Sequence, residues 1–185
     1  GYSITTGDRN TLIGGLVADS LTTGQYNTAV GYQVLASEDV GNRAVGVGYQ
    51  ALYSQNNSTS TDTYNIALGF QASYNITTGV RNVTLGAFAG DALTTGEHNV
   101  AIGHAALTSE DAHGKTTAIG YQALFVQDAG ADAYNVAVGY QAGLDVTTGI
   151  HNTIIGSNAG DAITTGYSNT ALGYLALEEN ISGGN

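Results

Sequence analysis

The chain has 185 residues, with 27 Gly and no Pro, Cys, Met or Trp. Absence of Cys excludes a disulfide scaffold, a thiolate metal site and a cysteine nucleophile, and no apolar run approaches the ~18 residues of a membrane helix. Four Lys+Arg against 15 Asp+Glu give a formal net charge of −11, which repels a phosphate backbone and argues against nucleic-acid binding.

Charged residues make up 10% of the chain, well below the ~25% of an ordinary globular protein. Hydrophobic residues still reach 42%, so the composition is not that of a disordered chain. Its polarity comes mainly from Thr, Asn, Ser, Gln and Tyr. Such neutral, Gly-rich composition points to an extracellular or virion structural protein more than to a cytosolic enzyme. A start at Gly1 is expected for a processed chain or a piece of a longer one, with any targeting signal elsewhere.

In chain order the sequence is one tandem repeat. A Gly preceded by an aliphatic residue recurs at Gly14, Gly31, Gly48, Gly69, Gly86, Gly103, Gly120, Gly139, Gly156 and Gly173, marking ten coils. Successive spacings are 17, 17, 21, 17, 17, 17, 19, 17 and 17 residues. The residue before each anchor is aliphatic (Ile13, Val30, Val47 and so on), and the residue three places after is Val or Ala. Asn recurs four places before the anchor, as Asn10, Asn27, Asn65, Asn82, Asn99, Asn135, Asn152 and Asn169. A longer period of four coils sits above this one. Coils three and seven share Gly-Tyr-Gln-Ala-Leu and precede the two long connections, so the single array 1–185 divides at about 1–72, 73–142 and 143–185. The array is expected to continue beyond both ends.

A 17-residue period is too short for a helix pair or a propeller blade and fits one turn of a β-solenoid. The predicted class is all-β: a parallel β-roll of ten coils, each paired with its copy one coil up at ~4.8 Å. Two extended pieces per coil are expected around the anchor, such as 27–30 and 32–35, with the large aliphatic and the Ala pointing inward. The Thr-Thr-Gly-x-x-Asn segment is expected to form the other corner, its Gly and Asn taking the left-handed conformation. So slim a core favours association. Two leftover apolar sets are candidates for the surface between copies: Leu21, Ile76, Leu93, Val146 and Ile163, or Leu35, Leu52, Leu107, Leu124 and Leu177.

The segments Asn99-Val-Ala-Ile-Gly-His-Ala-Ala-Leu107 and Asn169-Thr-Ala-Leu-Gly-Tyr-Leu-Ala-Leu177 resemble the head repeats of trimeric autotransporter adhesins, the YadA-like head. They are even more similar to the Thr-Thr-Gly…Asn-Thr-Ala-Ile-Gly-Tyr-Gln-Ala-Leu arrays of phage tail-fibre-like and bacterial surface fibre proteins. The resemblance covers essentially all ten coils. It implies a left-handed roll, a homotrimer and an extracellular role in attachment. The longer coil and the four-coil super-period depart from the adhesin head.

Five places before the anchor stands the candidate binding file: Arg9, Tyr26, Arg43, Tyr64, Arg81, His98, Lys115, Tyr134, His151 and then Ser168, holding every Lys and Arg of the chain. Stacked guanidinium and ring groups suit either an internal ladder or a stripe for anionic sugars. A second aromatic column follows the anchor directly, with Tyr32, Tyr49, Phe70, His104, Tyr121, Tyr140 and Tyr174. The connections 53–64 and 125–134 are expected to project from one side, presenting Asn56, Asn57, Ser58, Asp128 and Asp132 to a receptor or a glycan. Asn56, Asn57, Asn75, Asn82 and Asn180 fit the glycosylation acceptor pattern.

Acidic repeats recur at Asp19, Asp91 and Asp161 and at Glu38-Asp39, Glu110-Asp111 and Glu178-Glu179. None has calcium-loop spacing, so no metal and no cofactor is expected, and partners such as the basic file of another chain are. No place gathers acid, base and nucleophile, so the chain reads as a non-enzyme. The expectation is a structural shaft or head segment of an extracellular trimeric fibre used for attachment, at a cell surface or on a virion. Its partners would be copies of itself, side by side or end to end, and a surface glycan or receptor, with neither nucleic acid nor a membrane inserted by this segment. The alternatives are a self-polymerising matrix filament and, more weakly, an ice-binding solenoid. The Thr-Thr pairs skip two coils in every four, which breaks up any flat ice-binding array.

Overall fold

The computed structural model describes residues 1–178; Glu179 and Asn180 lie outside the described residues. The chain is an all-β parallel solenoid of ten coils, with no helix among the described residues. Each coil contributes one strand: β1 Thr11–Gly15, β2 Thr28–Tyr32, β3 Val45–Tyr49, β4 Ile66–Leu68, β5 Val83–Leu85, β6 Val100–Ile102, β7 Thr117–Ile119, β8 Val136–Val138, β9 Thr153–Ile155 and β10 Thr170–Leu172. They form one sheet in sequence order. Register follows the repeat throughout, so Ile102 lies beside Ile119 and Val47 beside Leu68 across the long connection.

The anchor glycines hold this spacing. All ten have φ between 119° and 145°. In nine of them an added Cβ would run into the anchor carbonyl of the next coil, as Gly103 would into Gly120. Both the backbone conformation and the room available demand Gly there.

Strand alternation places the residue two before the anchor inside and its two neighbours outside. Ala29, Ala67, Ala101, Ala118 and Ala137 are accordingly fully buried. This corrects the expectation for the large aliphatic beside the anchor, which faces outward: Ile13, Leu85, Ile155 and Leu172 are exposed, and Val30, Val47, Ile102 and Ile119 half-buried. The second extended piece is also corrected. Tyr32 ends β2 and residues 33–35 turn away beyond it, because the second and fourth residues after each anchor are left-handed, Gln33 and Leu35 both at φ 52°. The turn still bonds from coil to coil, Gln33 N–H to Gly15 O at 3.0 Å and Leu35 N–H to Ala51 O at 3.2 Å.

The core is filled by the Ala or Val three after the anchor and by both leftover apolar sets. Leu21, Ile76, Leu93, Val146 and Ile163, with Leu35, Leu52, Leu107 and Leu124, are completely buried within the one chain. Neither set is available to line a surface between copies; only Leu177 is exposed. Inside the roll, volumes compensate. Five of the ten coils pair a small residue two before the anchor with Leu four after it, as Ala101 with Leu107. Where the inner strand residue grows to Thr84 or Ile154, the facing turn residue shrinks to Ser73 and Gly90 or to Gly143 and Gly160. Ser73 and Thr84 hydroxyls are 2.9 Å apart, and a Cβ on Gly160 would sit 3.1 Å from Ile154 Cδ1. A slim, close-packed core tolerates one large group per level.

Candidate functional site

The corner opposite the anchor is built on an asparagine ladder. Asn10 Nδ2 donates to Gly24 O at 2.8 Å, while Asn27 N–H donates to Asn10 Oδ1 at 2.9 Å. The pattern repeats up the roll through Asn65, Asn82 and Asn99. The ladder Asn and the corner Gly are not left-handed. The Gly is required for lack of room, since a Cβ on Gly79 would meet the Gly96 carbonyl. The left-handed residue is instead the one carrying the candidate file, with φ from 51° to 62° at Arg9, Tyr26, Arg43, Tyr64, Arg81, His98, Lys115, Tyr134, His151 and Ser168.

That conformation turns the file outward and stacks it. Arg9 and Arg43 lie either side of the Tyr26 ring, their Cζ atoms 5.1 and 5.0 Å from its centroid, and Arg43 lies 5.9 Å from Tyr64. Lys115 Nζ is 5.3 Å from the Tyr134 ring, which stacks on His151 at 5.3 Å. Three of the four Lys and Arg side chains are paired within the chain, Arg9 with its neighbour Asp8 at 3.9 Å. Arg43 pairs with Asp62 and Lys115 with Asp132, each carboxylate coming from a long connection one coil up. The hydrogen bond it donates to Asp62 raises the Arg43 guanidinium above its ordinary range, the one donated to Asp132 raises Lys115, and Lys115 holds Asp132 below the usual aspartate range.

The aromatic column is continuous where the sequence shows a gap. Tyr32, Tyr49 and Phe70 stack at 5.5 and 5.1 Å. At coil five the column holds Ala87, and the next residue, Phe88, steps in edge-on between Phe70 and His104. Tyr121 and Tyr140 carry the file on. Beside it runs an amide ladder, Gln71 to Gln50 to Gln33, each bond 2.9 Å.

The connections project only in part. Asn56, Ser58 and Asp128 are exposed, and Asp132 is half-buried in its ion pair. Asn57 does not project: it is buried, its side chain donating to Glu38 Oε2 at 3.0 Å. Burial likewise removes Asn57 and Asn82 as glycan acceptors in the folded chain, leaving Asn56 and Asn75 exposed.

These connections rebuild the corner, which explains the four-coil period. Seven places after the anchor the interior holds Leu21, Glu38, Gln55, Ile76, Leu93, Glu110, Gln127, Val146 and Ile163, and every one of these side chains is buried. In the aliphatic coils the Thr-Thr-Gly backbone bonds to its own copy above, as Thr77 and Gly79 N–H do to Thr94 O. Below a long connection that partner is displaced. Glu38 then turns its carboxylate to the stranded donors: Gly41 N–H at 2.7 Å, Asp39 N–H at 3.1 Å, Asn57 N–H at 3.3 Å, plus the Gln55 and Asn57 amides at 2.8 and 3.0 Å. Glu38 and Glu110 are thus interior groups, and the expectation that they face a basic file on another chain is corrected. Asp19, Asp91 and Asp161 each keep one buried carboxylate oxygen without a hydrogen bond. Burial raises the Asp91 and Asp161 carboxyls above the aspartate range, with repulsion from Asp145 and Glu178 adding to it at Asp161.

These features define a parallel β-solenoid that displays files of side chains at fixed intervals along one axis. Compared with protein-family models, curated proteins and solved structures, the chain matches none. No helix among the described residues is long and apolar enough to cross a membrane.

Proposed function

We propose that the chain is a non-catalytic structural segment of an extracellular fibre, built from three copies packed side by side and serving attachment at a cell surface or on a virion. The carrying observation is the outer face of the sheet. The outward column Val47, Leu68, Leu85, Ile102 and Ile119, flanked by a second in which Val45, Ile66, Val83, Val100 and Val136 share the position with Thr11, Thr28, Thr117, Thr153 and Thr170, makes a largely apolar stripe along the solenoid. A lone rod leaves that stripe wet, and contiguous exposed apolar surface marks an interaction site. Rotational symmetry lets identical stripes cover one another. The left-handed winding and the number three rest on the resemblance of Asn99–Leu107 and Asn169–Leu177 to trimeric adhesin heads. The outward file of Arg9, Tyr26, Arg81, His98 and His151, together with Asn56 and Ser58, is the surface offered to an anionic glycan or a receptor.

Light scattering on the purified chain tests the reading. A trimer is expected, and Ile102→Glu with Ile119→Glu should dissociate it without unfolding, since both side chains leave the sheet outward. A stable wild-type monomer at micromolar concentration would sink the proposal. Electron microscopy separates it from the matrix-filament alternative, for which long uniform polymers of this chain alone are expected.

A further inference from the structure

The second long connection brings together four side chains that are scattered in sequence. Glu110, Asp111, His113 and Asp128 each offer a ligating atom, and these atoms all lie within 4.8 Å of one another. Register puts them there. Asp111 and Asp128 are one period apart and occupy the same column, eight places after the anchor, in coils six and seven. Glu110 approaches from the interior, and His113 from the corner between them.

We propose that this cluster binds one divalent transition-metal ion of the zinc and manganese class. Mixed imidazole and carboxylate donors suit such ions, whereas calcium takes oxygen ligands alone. The His113 Nδ1 atom is shielded from solvent and has no hydrogen-bond partner. It lies 3.5 Å from Glu110 Oε1. Three carboxylates converge without a matching cation, because the neighbouring Lys115 is engaged by Asp132. Asp111 and Asp128 are exposed. Their free rotation allows the closer approach, ligands ~3.4 Å apart, of a tetrahedral ion with bonds of ~2.1 Å.

The first super-repeat supplies an internal control. Its equivalent residues are Glu38, Asp39, Gly41 and Asn56, with Asn57 where the second has Ala129. There the buried carboxylate is closed by five N–H donors at 2.7 to 3.3 Å. Glu110 keeps Gln127 at 3.1 Å, His113 N–H at 3.3 Å and Ala129 N–H at 3.4 Å, and has lost the amide that Asn57 provides. The second corner has therefore exchanged neutral donors for an imidazole and a further carboxylate. A bound cation restores what the exchange removed. It also ties coil six to coil seven at a level where Thr116 interrupts the asparagine ladder.

The test is calorimetric titration of the intact chain with zinc chloride, and in a second arm manganese chloride, against a variant carrying His113→Gly and Asp128→Asn. These are the residues of the first corner, so the variant retains a local arrangement that the chain already folds. One ion per chain is expected, with affinity falling ~100-fold or more in the variant, since disturbing even the supporting shell of a metal site costs ~10–100-fold. The wild-type melting temperature should rise with metal and the variant's should not. His98→Gln with His151→Gln, on the exposed file, should leave the affinity unchanged. Absence of saturable binding of either ion at millimolar concentration, or equal binding by the His113→Gly, Asp128→Asn variant, would overturn the site.

Discussion

The aliphatic corners and the Glu/Gln corners occupy the same slot of the same coil and are equally dry. Ile76 and Glu38 both sit at full burial seven places after an anchor. What separates them is the backbone above. Under a regular Thr-Thr-Gly turn the Thr77 and Gly79 N–H groups both reach Thr94 O of the next coil, and the interior needs only volume. Under a long connection several N–H groups lose that partner, and an unpaired buried donor costs ~1–3 kcal/mol. A buried carboxylate is then the better filling despite its own desolvation, because it accepts several donors at once. Insertion and interior chemistry are one feature of the super-repeat.

The comparison presupposes coils clamped at one spacing, so the largest effect should come from removing the clamp. Gly103→Ala is expected to cost about 4 kcal/mol or more, by backbone collision at a left-handed position. Gly130→Ala, at φ 66° in open space, should cost about 1 kcal/mol. Denaturant melts of the two variants measure the difference. Turning a polar corner aliphatic comes next. Glu38→Leu strands five donors and should cost about 3 kcal/mol; Glu110→Leu strands three and should cost roughly 1 kcal/mol less in metal-free buffer.

The volume exchange in the core can be broken and mended. Ile154→Ala should cost about 2–3 kcal/mol, and adding Gly160→Leu should recover a large part of it, because Leu already occupies that turn position elsewhere at the same φ. A double-mutant cycle that shows no coupling would refute the compensation. The smallest effect separates two aspartates by sign. Asp91 has a raised folded pKa, so it opposes folding at neutral pH, and that opposition fades as pH falls toward the unfolded value of ~3.9. Asp91→Asn should therefore stabilise slightly at pH 7 and converge with wild type in acid. Asp132, held low by Lys115, contributes stability at neutral pH that disappears as pH falls through its folded pKa. Stability curves of Asp91→Asn and Asp132→Asn against pH should diverge in opposite directions.

Register and super-period were legible in the sequence because each coil repeats its Gly and aliphatic columns directly. Which side of the strand faces in was not. Residue size favours Ile102 over Ala101 as the interior group, yet the roll is too narrow for a large side chain on every level of both walls. The left-handed corner was assigned to Gly and Asn on intrinsic preference, whereas the chain places it at Arg43 and Tyr64, whose outward stacking requires it. The buried role of Glu38 escaped because three of its five donors come from Gln55 and Asn57, 17 and 19 residues on. The cluster at His113 escaped because its ligands span two coils. Reading Asp111 and Asp128 as one column would have found it.

The inner compensation has a consequence for length. Neighbouring coils match in core volume and corner chemistry only within a set of four. A rod assembled this way grows or shrinks in steps of ~19 Å, four strand spacings, and excising a single turn would mate surfaces that do not correspond. Genetic slippage by one 17-residue unit should then be purged, whereas loss of a complete quartet such as 73–142 should pass unnoticed by the fold.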